Sequence, residues 1–445
     1  MAETAASSTS GVITRWQAVF IGVGAMVGAG IFALLGEAGA IAHSAVWLSF
    51  LLAGLIAGLQ GYSFARLGEK YASEAGLVGY LAAGYGKGSR MMSVSSWLAY
   101  ASTLIVLAMV AVSFGSYAAA ILTAGQMPAT LTKAMATLIV LAATLLIGLG
   151  GAGAVAKAQS WVVRLVIVVL LGIAVITMLT ADWRLLAPST YPPLRAVIGS
   201  IALTFFAFLG FGVVSFTAKD LKDERDLGPA TYLALAITTV LYVAIAIGVF
   251  GQLTPQQVAA AGPTAIALAV KPVLGAAGYW IVAITALLST AGAVNSTLYP
   301  APNLLGYLSR ERVFPRFFGR TIGRFQLGLV VSSLAVLVFV WFFDLTAIAS
   351  MGSAVALLIF LSISLGHYRI RSETGASPAL LLLAILTVVV TLLGFLATTL
   401  ASSPTSLTAF IGISILAVIF DEWWRLVRGR RDGATTPSGH APSAG

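Results

Sequence analysis

The chain has 445 residues, 59% hydrophobic and 9% charged, with a formal net charge of +10. Soluble domains carry about 25% charged residues, so the composition excludes a water-soluble enzyme or binding module and indicates a polytopic membrane protein. Cysteine is absent, which excludes disulfides and thiolate metal sites.

Residues 1–14 are rich in Ala, Ser and Thr and lack the basic region of a secretory signal. They are expected to form a disordered tail. A membrane span needs about 20 apolar residues. Twelve stretches qualify: 15–41, 45–66, 92–123, 132–150, 154–180, 196–218, 229–251, 275–301, 325–343, 346–366, 377–399 and 406–427. No loop between them is long enough for a separate domain, so 15–428 reads as one membrane domain. The Gly/Pro/Ser/Thr-rich stretch 429–445 reads as a second disordered tail.

Charge orients the spans. With both termini in the cytoplasm, the outer loops hold only Lys133, Arg184, Arg195 and Lys271, and Arg164 falls within a span. The other twenty of the 25 basic residues lie on the inner side, a strong positive-inside bias. The positive charge then faces anionic lipid. Nucleic acid is the poorer partner, because the basic residues sit in short loops. Tryptophans such as Trp16, Trp47, Trp97, Trp183, Trp280, Trp341, Trp423 and Trp424 fall near span ends, as interfacial anchors do.

Two spans carry a glycine-rich interruption. The first reads Gly22-Val23-Gly24-Ala25-Met26-Val27-Gly28-Ala29-Gly30-Ile31-Phe32, the second Phe205-Phe206-Ala207-Phe208-Leu209-Gly210-Phe211-Gly212. Each glycine costs a helix roughly 1 kcal/mol against alanine. Clustered glycines therefore predict unwound backbone, which survives in a bilayer only where protein or a polar cavity meets it. The interruptions open two groups of five spans, the placement that marks a solute site between inverted repeats.

A break at Gly28, Ala29 and Gly30 would start a new helix at Ile31, whose free amides and positive dipole end suit a carboxylate. A break at Phe206, Ala207, Phe208 and Leu209 would free carbonyls for an ammonium group. Phe208 and Phe211, nearest this break, are candidate gates over the apolar part of a solute. The competing reading is packing, since Gly24-Ala25-Met26-Val27-Gly28 is itself a GxxxG contact motif.

Arg164 sits about ten residues into its span, roughly 15 Å deep. A cation there costs at least ~2.5–3.5 kcal/mol, so it is expected to face the interior and to stand in for a coupling cation, unless it snorkels to the inner face. Ser289 and Thr290 place two hydroxyls in span eight that could hold a small cation, or bond their own preceding turn. All fifteen acidic residues can be placed near span ends, in loops or in tails, so no mid-membrane carboxylate relay is expected. His43, His367 and His440 fall at edges or in a tail, so no metal cluster is expected. No catalytic residue and no cofactor are indicated, beyond a coupling proton or sodium ion.

These segments, in this order, resemble the amino acid–polyamine–organocation (APC) transporter superfamily. Gly28-Ala29-Gly30-Ile31-Phe32 is similar to its first-helix G-x-G-I-F. Gly61-Tyr62-Ser63-Phe64-Ala65-Arg66-Leu67-Gly68 with Ser73-Glu74-Ala75-Gly76 is similar to its Y-A-E-L-G…P-E-A-G block. The Phe205–Gly212 string, the loop Lys222–Ala230 and the stretch Ser289–Phe317 resemble its sixth-helix, following-loop and eighth-helix blocks. Gly212 stands where many members carry Asp or Glu, and Val166 where many proton-coupled members carry a fifth-helix lysine.

The resemblance implies an all-α membrane fold of the LeuT type. That fold has twelve helices, with 1–5 and 6–10 as inverted repeats, helices 1 and 6 discontinuous and helices 11–12 peripheral. It implies a permease in the cell (inner) membrane moving amino acids, neutral ones foremost, by alternating access. The solute carboxylate would lie at the first-helix G-x-G and its amine at sixth-helix carbonyls. Transport or exchange of another small amine or a nucleobase is the alternative within this class; a sensor or membrane enzyme on the same scaffold is the alternative outside it.

Overall fold

A computed structural model describes residues 13–71, 76–149, 152–298, 301–401 and 403–434. Most of both expected tails, 1–12 and 435–445, lies outside the described residues. The described parts of those tails are ordered. Ile13 pairs with Leu221 in a parallel bridge, Thr14 forms a capping box with Gln17, and the last helix continues through Gly429 to Ala434.

The chain is a helical array. Its helices are α1 Arg15–Ala29, α2 Ile31–Ala42, α3 Val46–Lys70, α4 Leu77–Tyr85, α5 Arg90–Leu122, α6 Ala129–Gly148, α7 Ala152–Leu179 and α8 Leu194–Phe206. A 3₁₀ segment, Leu209–Asp220, follows. Then come α9 Leu227–Phe250, α10 Pro255–Ala261, α11 Ala265–Leu298, α12 Ala301–Arg310, α13 Leu327–Phe342, α14 Leu345–Arg369, α15 Arg371–Thr374, α16 Pro378–Phe395 and α17 Pro404–Ala434. A two-stranded hairpin pairs Thr321–Ile322 with Phe325–Gln326. Among the described residues, ten helical stretches are long and apolar enough to cross a membrane, and α13 is a shorter apolar helix.

Local chemistry sets the helix ends. Ser89 accepts from the Met92 amide at the start of α5, and Asp344 accepts from the Ala347 amide at the start of α14 at 2.7 Å. Each satisfies an amide that the first turn cannot pair. Pro272 and Gly275, at φ 64°, kink α11, so the expected span from 275 begins at the kink and is preceded by a separate short helical piece.

Burial ranks the helices. The most apolar stretches of α5 and α14 are 83% buried, against 28% for α6 and α7 and 17% for α17. α5 and α14 therefore lie at the centre, with the stretch Leu194–Ser215 at 78%, and α6, α7 and α17 form the rim. The rim is apolar outward, with Leu179 and Val168 exposed, as a lipid-facing surface requires. Small residues hold the interior contacts, because lipid supplies no hydrophobic drive between helices and close backbone approach must replace it.

Candidate functional site

The first interruption is one residue wide. Gly30 keeps right-handed helical angles (φ −86°, ψ −73°) between α1 and α2. Its amide donates to the Met26 carbonyl at 2.7 Å, and its carbonyl accepts from the Leu34 amide at 2.9 Å. The expected break around Gly28–Gly30 is thus narrowed to Gly30: Gly28 and Ala29 belong to α1, and Ile31, fully buried, begins α2. The packing reading holds for the GxxxG. A Cβ on Gly24 would strike Val163 of α7, and one on Gly28 would strike Ala293 and the Ser289 carbonyl of α11.

The second interruption is larger. After Phe206 the chain switches from α to 3₁₀ geometry and keeps it for 12 residues. Runs beyond three or four residues are uncommon and mark hinges. The Phe205 carbonyl accepts from the Phe208 amide at 2.9 Å, and the Phe208 carbonyl accepts from the Phe211 amide at 3.0 Å. Of the carbonyls expected to be free for an ammonium group, that of Phe208 thus already holds a partner, although every carbonyl oxygen has a second lone pair to offer.

The two interruptions meet face to face. A Cβ on Gly30 would fall on the Tyr242 hydroxyl and the Ala207 carbonyl oxygen. The Tyr242 hydroxyl, on α9, donates to the Ala207 carbonyl at 3.3 Å, and the Ile31 amide is directed at the Tyr242 hydroxyl oxygen. Tyr242 is fully buried, its ring 5.4 Å from Phe50 and 5.1 Å from Phe208. The sequence reading missed it. Its signal is a tyrosine deep in an apolar span, away from the interface where tyrosines collect; a buried hydroxyl must find a partner.

A cavity of about 150 Å³ opens beside this joint. Ala25 of α1, then Phe206, Ala207, Leu209 and Gly210 line one wall. Ser102 and Thr103 of α5, Ser296 and Thr297 of α11, and Ala356 and Phe360 of α14 line the other. Leu77 of α4 and Leu304 of α12 stand at the end that carries the basic loops. Among the described residues, none that lines the cavity is charged. Thr103 donates its hydroxyl to the Ala99 carbonyl at 3.0 Å, leaving its oxygen lone pairs to accept.

The other expected residues divide. Phe206 faces the cavity. Phe208 packs on Tyr242, and Phe211 lies 5.1 Å from Phe64 and 5.4 Å from Phe360. Both are fully buried, so in this conformation the cavity-facing rings are Phe206 and Phe360. Thr290 bonds its own preceding turn at Ala286 and Leu287, whereas Ser289 faces Gly28.

Arg164 is corrected. It lies on the exposed face of α7 with Trp161 (71% exposed), Leu165 and Val168. Its guanidinium rests 5.0 Å from the Trp161 ring and 5.9 Å from Phe20. Phe20 is in the second turn of α1, so Arg164 is near the end of the bundle where α1 starts, and far from the joint. Val166, two residues on, is the buried position.

Charged contacts gather at the two ends. Lys87 and Glu311 pair at 2.8 Å between the segments bearing α4 and α12, and this bond raises the Lys87 pKa. Tyr71 donates to Glu373 at 2.5 Å, which pushes its phenol up to about 12. At the opposite end Glu37 of α2 accepts from Thr346 of α14 at 2.5 Å. Among the described residues no group of three or more His, Asp or Glu could hold a metal.

Residues 13–420 match the amino acid permease family. The chain is 31% identical over 407 residues to the inner membrane transport protein YbaT of Escherichia coli, covering 91% of this chain and 94% of that one. It is 25% identical over 407 residues to the methylthioribose transporter of Bacillus subtilis, covering 84% of each. It is 27% identical over 377 residues to the vacuolar cationic amino acid transporter 2 of Arabidopsis thaliana, covering 79% of this chain and 58% of that one. Both the match over nearly the whole chain and the helical membrane architecture agree with the resemblance carried by the glycine and aromatic strings: the chain belongs to the amino acid permease family of the APC superfamily and is a transporter.

Proposed function

We propose that the protein is a secondary active permease of the cell (inner) membrane, moving small net-neutral solutes, amino acids foremost, by alternating access. One observation carries the substrate class: among the described residues the cavity lining holds no charge, and its polar side chains are the hydroxyls of Ser102, Thr103, Ser296 and Thr297. A solute of net charge would be left unpaired there at a cost of several kcal/mol. A zwitterion brings no net charge, and its ammonium and carboxylate can meet the oxygens and the hydrogens of these hydroxyls. A cationic amino acid, the solute for which the plant relative is named, has no carboxylate to meet in this lining. A neutral thio-sugar, as in the name of the Bacillus relative, satisfies the same lining and is the second reading.

We read the architecture as twelve spans in a LeuT-type 5+5 arrangement, with α1–α2 and α8 plus the 3₁₀ segment as the discontinuous first members of each half, and α16 and α17 peripheral. The basic loops around Lys87 and Arg310–Arg324 support cytoplasmic termini and a cavity open inward. Ser289, facing α1, is the candidate contact for a coupling cation.

The test is uptake into proteoliposomes of labelled amino acids, amines, nucleobases and methylthioribose, with and without sodium and at two pH values. Accumulation of a neutral amino acid is the expected result. Preference for a cationic solute, or binding without flux, would overturn the reading.

A further inference from the structure

The two interruptions are joined by more than contact. At their shared end, the Tyr242 hydroxyl meets a carbonyl from one and faces an amide from the other. At the far end, the Ile13 amide donates to the Asp220 carbonyl at 2.8 Å, and the Lys222 amide donates to the Ile13 carbonyl at 2.9 Å. Between these ties, a Cβ on Gly22 would strike Val214, and one on Gly210 would strike the backbone of Ala25 and Met26. α1 and the 3₁₀ segment are thus fastened at both ends and flush along their length.

We infer that Tyr242 is a positioning residue that locks the two interrupted helices into one body, so that they reorient together against α5, α11 and α14 during transport. This rests on the permease reading. Three observations separate the role from that of a solute ligand or a core filler. Tyr242 does not line the cavity. Its ring, held by Phe50 and Phe208, cannot swing into the cavity without unpacking both. A phenylalanine would fill the same space, yet would leave the Ala207 carbonyl and the Ile31 amide without the hydroxyl, and unpaired peptide groups are costly in a membrane interior. At the shared end, the hydroxyl rather than the ring therefore does the joining. It does so from α9, no described residue of which lines the cavity.

The test uses the full chain in lipid nanodiscs, with Tyr242→Phe removing the hydroxyl and Gly30→Ala pushing a Cβ into the same joint. Hydrogen–deuterium exchange is read over 26–34, over 205–213, and over α5 as reference. In both variants exchange over 26–34 and 205–213 is expected to rise at least tenfold while α5 is unchanged. In proteoliposomes, with a solute that the wild type carries, Vmax is expected to fall at least tenfold and KM to move less than threefold. Unchanged exchange at both interruptions, or an equal rise throughout the chain, would overturn the inference. A raised KM at constant Vmax would make Tyr242 a solute contact and overturn it as well. If the wild type moves no solute, the permease reading fails, while the exchange measurement still decides whether Tyr242 is the joint.

Discussion

Gly210 lies so close to Met26 that a Cβ on the glycine would overlap the Met26 amide nitrogen and come within 2.7 Å of the Ala25 carbonyl oxygen. Backbone meets backbone here, and neither side has a flexible side chain that could yield. Gly210→Ala should therefore push α1 off the 3₁₀ segment and cost about 1–3 kcal/mol, read as a lower Tm in detergent. Gly172, where an added Cβ meets nothing within 4 Å, is the control: Gly172→Ala should leave Tm unchanged or slightly raised, since alanine is the better helix former. Equal Tm values for the two variants would mean that the contact is not tight.

Thr103 tests the cavity. Its hydroxyl hydrogen is committed to Ala99, so its oxygen can only accept, which suits a solute ammonium. Thr103→Val keeps the shape and removes the acceptor. One net hydrogen bond is worth about 0.5–1.5 kcal/mol, so KM for a zwitterionic solute should rise about two- to thirteenfold with Vmax little changed. An unaltered KM would place the ammonium elsewhere along the wall.

Much of this site could be read from the residues, and what escaped did so for physical reasons. The glycine strings located the joint because a lipid-exposed helix has no use for them. They could not tell unwinding from close packing, since both need the missing Cβ, and the structure assigns Gly24 and Gly28 to packing and Gly30 to the joint. Tyr242 was hidden because its partners are peptide groups far away in the chain. Arg164 was misplaced because lipid and protein interior are equally apolar, so hydrophobic pattern fixes the length of a span but not which face turns inward. Phe208 and Phe211 are the rings nearest the break, but Phe206, the last residue of α8, lines the cavity, while Phe208 packs on Tyr242 and Phe211 on Phe64 and Phe360.

Tyr71 offers a test in pH. Its hydroxyl holds Glu373, tying the end of α3 to α15, and its pKa is about 12 against an ordinary 10.0. A pKa raised by folding means that the folded state keeps the proton more tightly. The stabilisation is thus complete below pH 10 and disappears as pH climbs through 12. The pair is largely exposed, so ~0.2–1 kcal/mol is expected. Tyr71→Phe should lower Tm by a small constant amount up to about pH 10, and the gap should close above it. A gap that widens with pH would contradict the assignment.

Arg164 gives the sharpest test of how α7 is turned. On the exposed face, over Trp161 and near Phe20, its charge cannot reach a coupling ion at the joint. Arg164→Leu should leave the sodium and pH dependence of uptake within twofold of wild type. Replacing a lipid-facing cation with an apolar side chain removes the charge's membrane penalty, so Tm should stay level or rise. A lost or shifted ion dependence in proteoliposomes, with Tm preserved, would mean that α7 presents Arg164 inward during the cycle and would restore it to the coupling path.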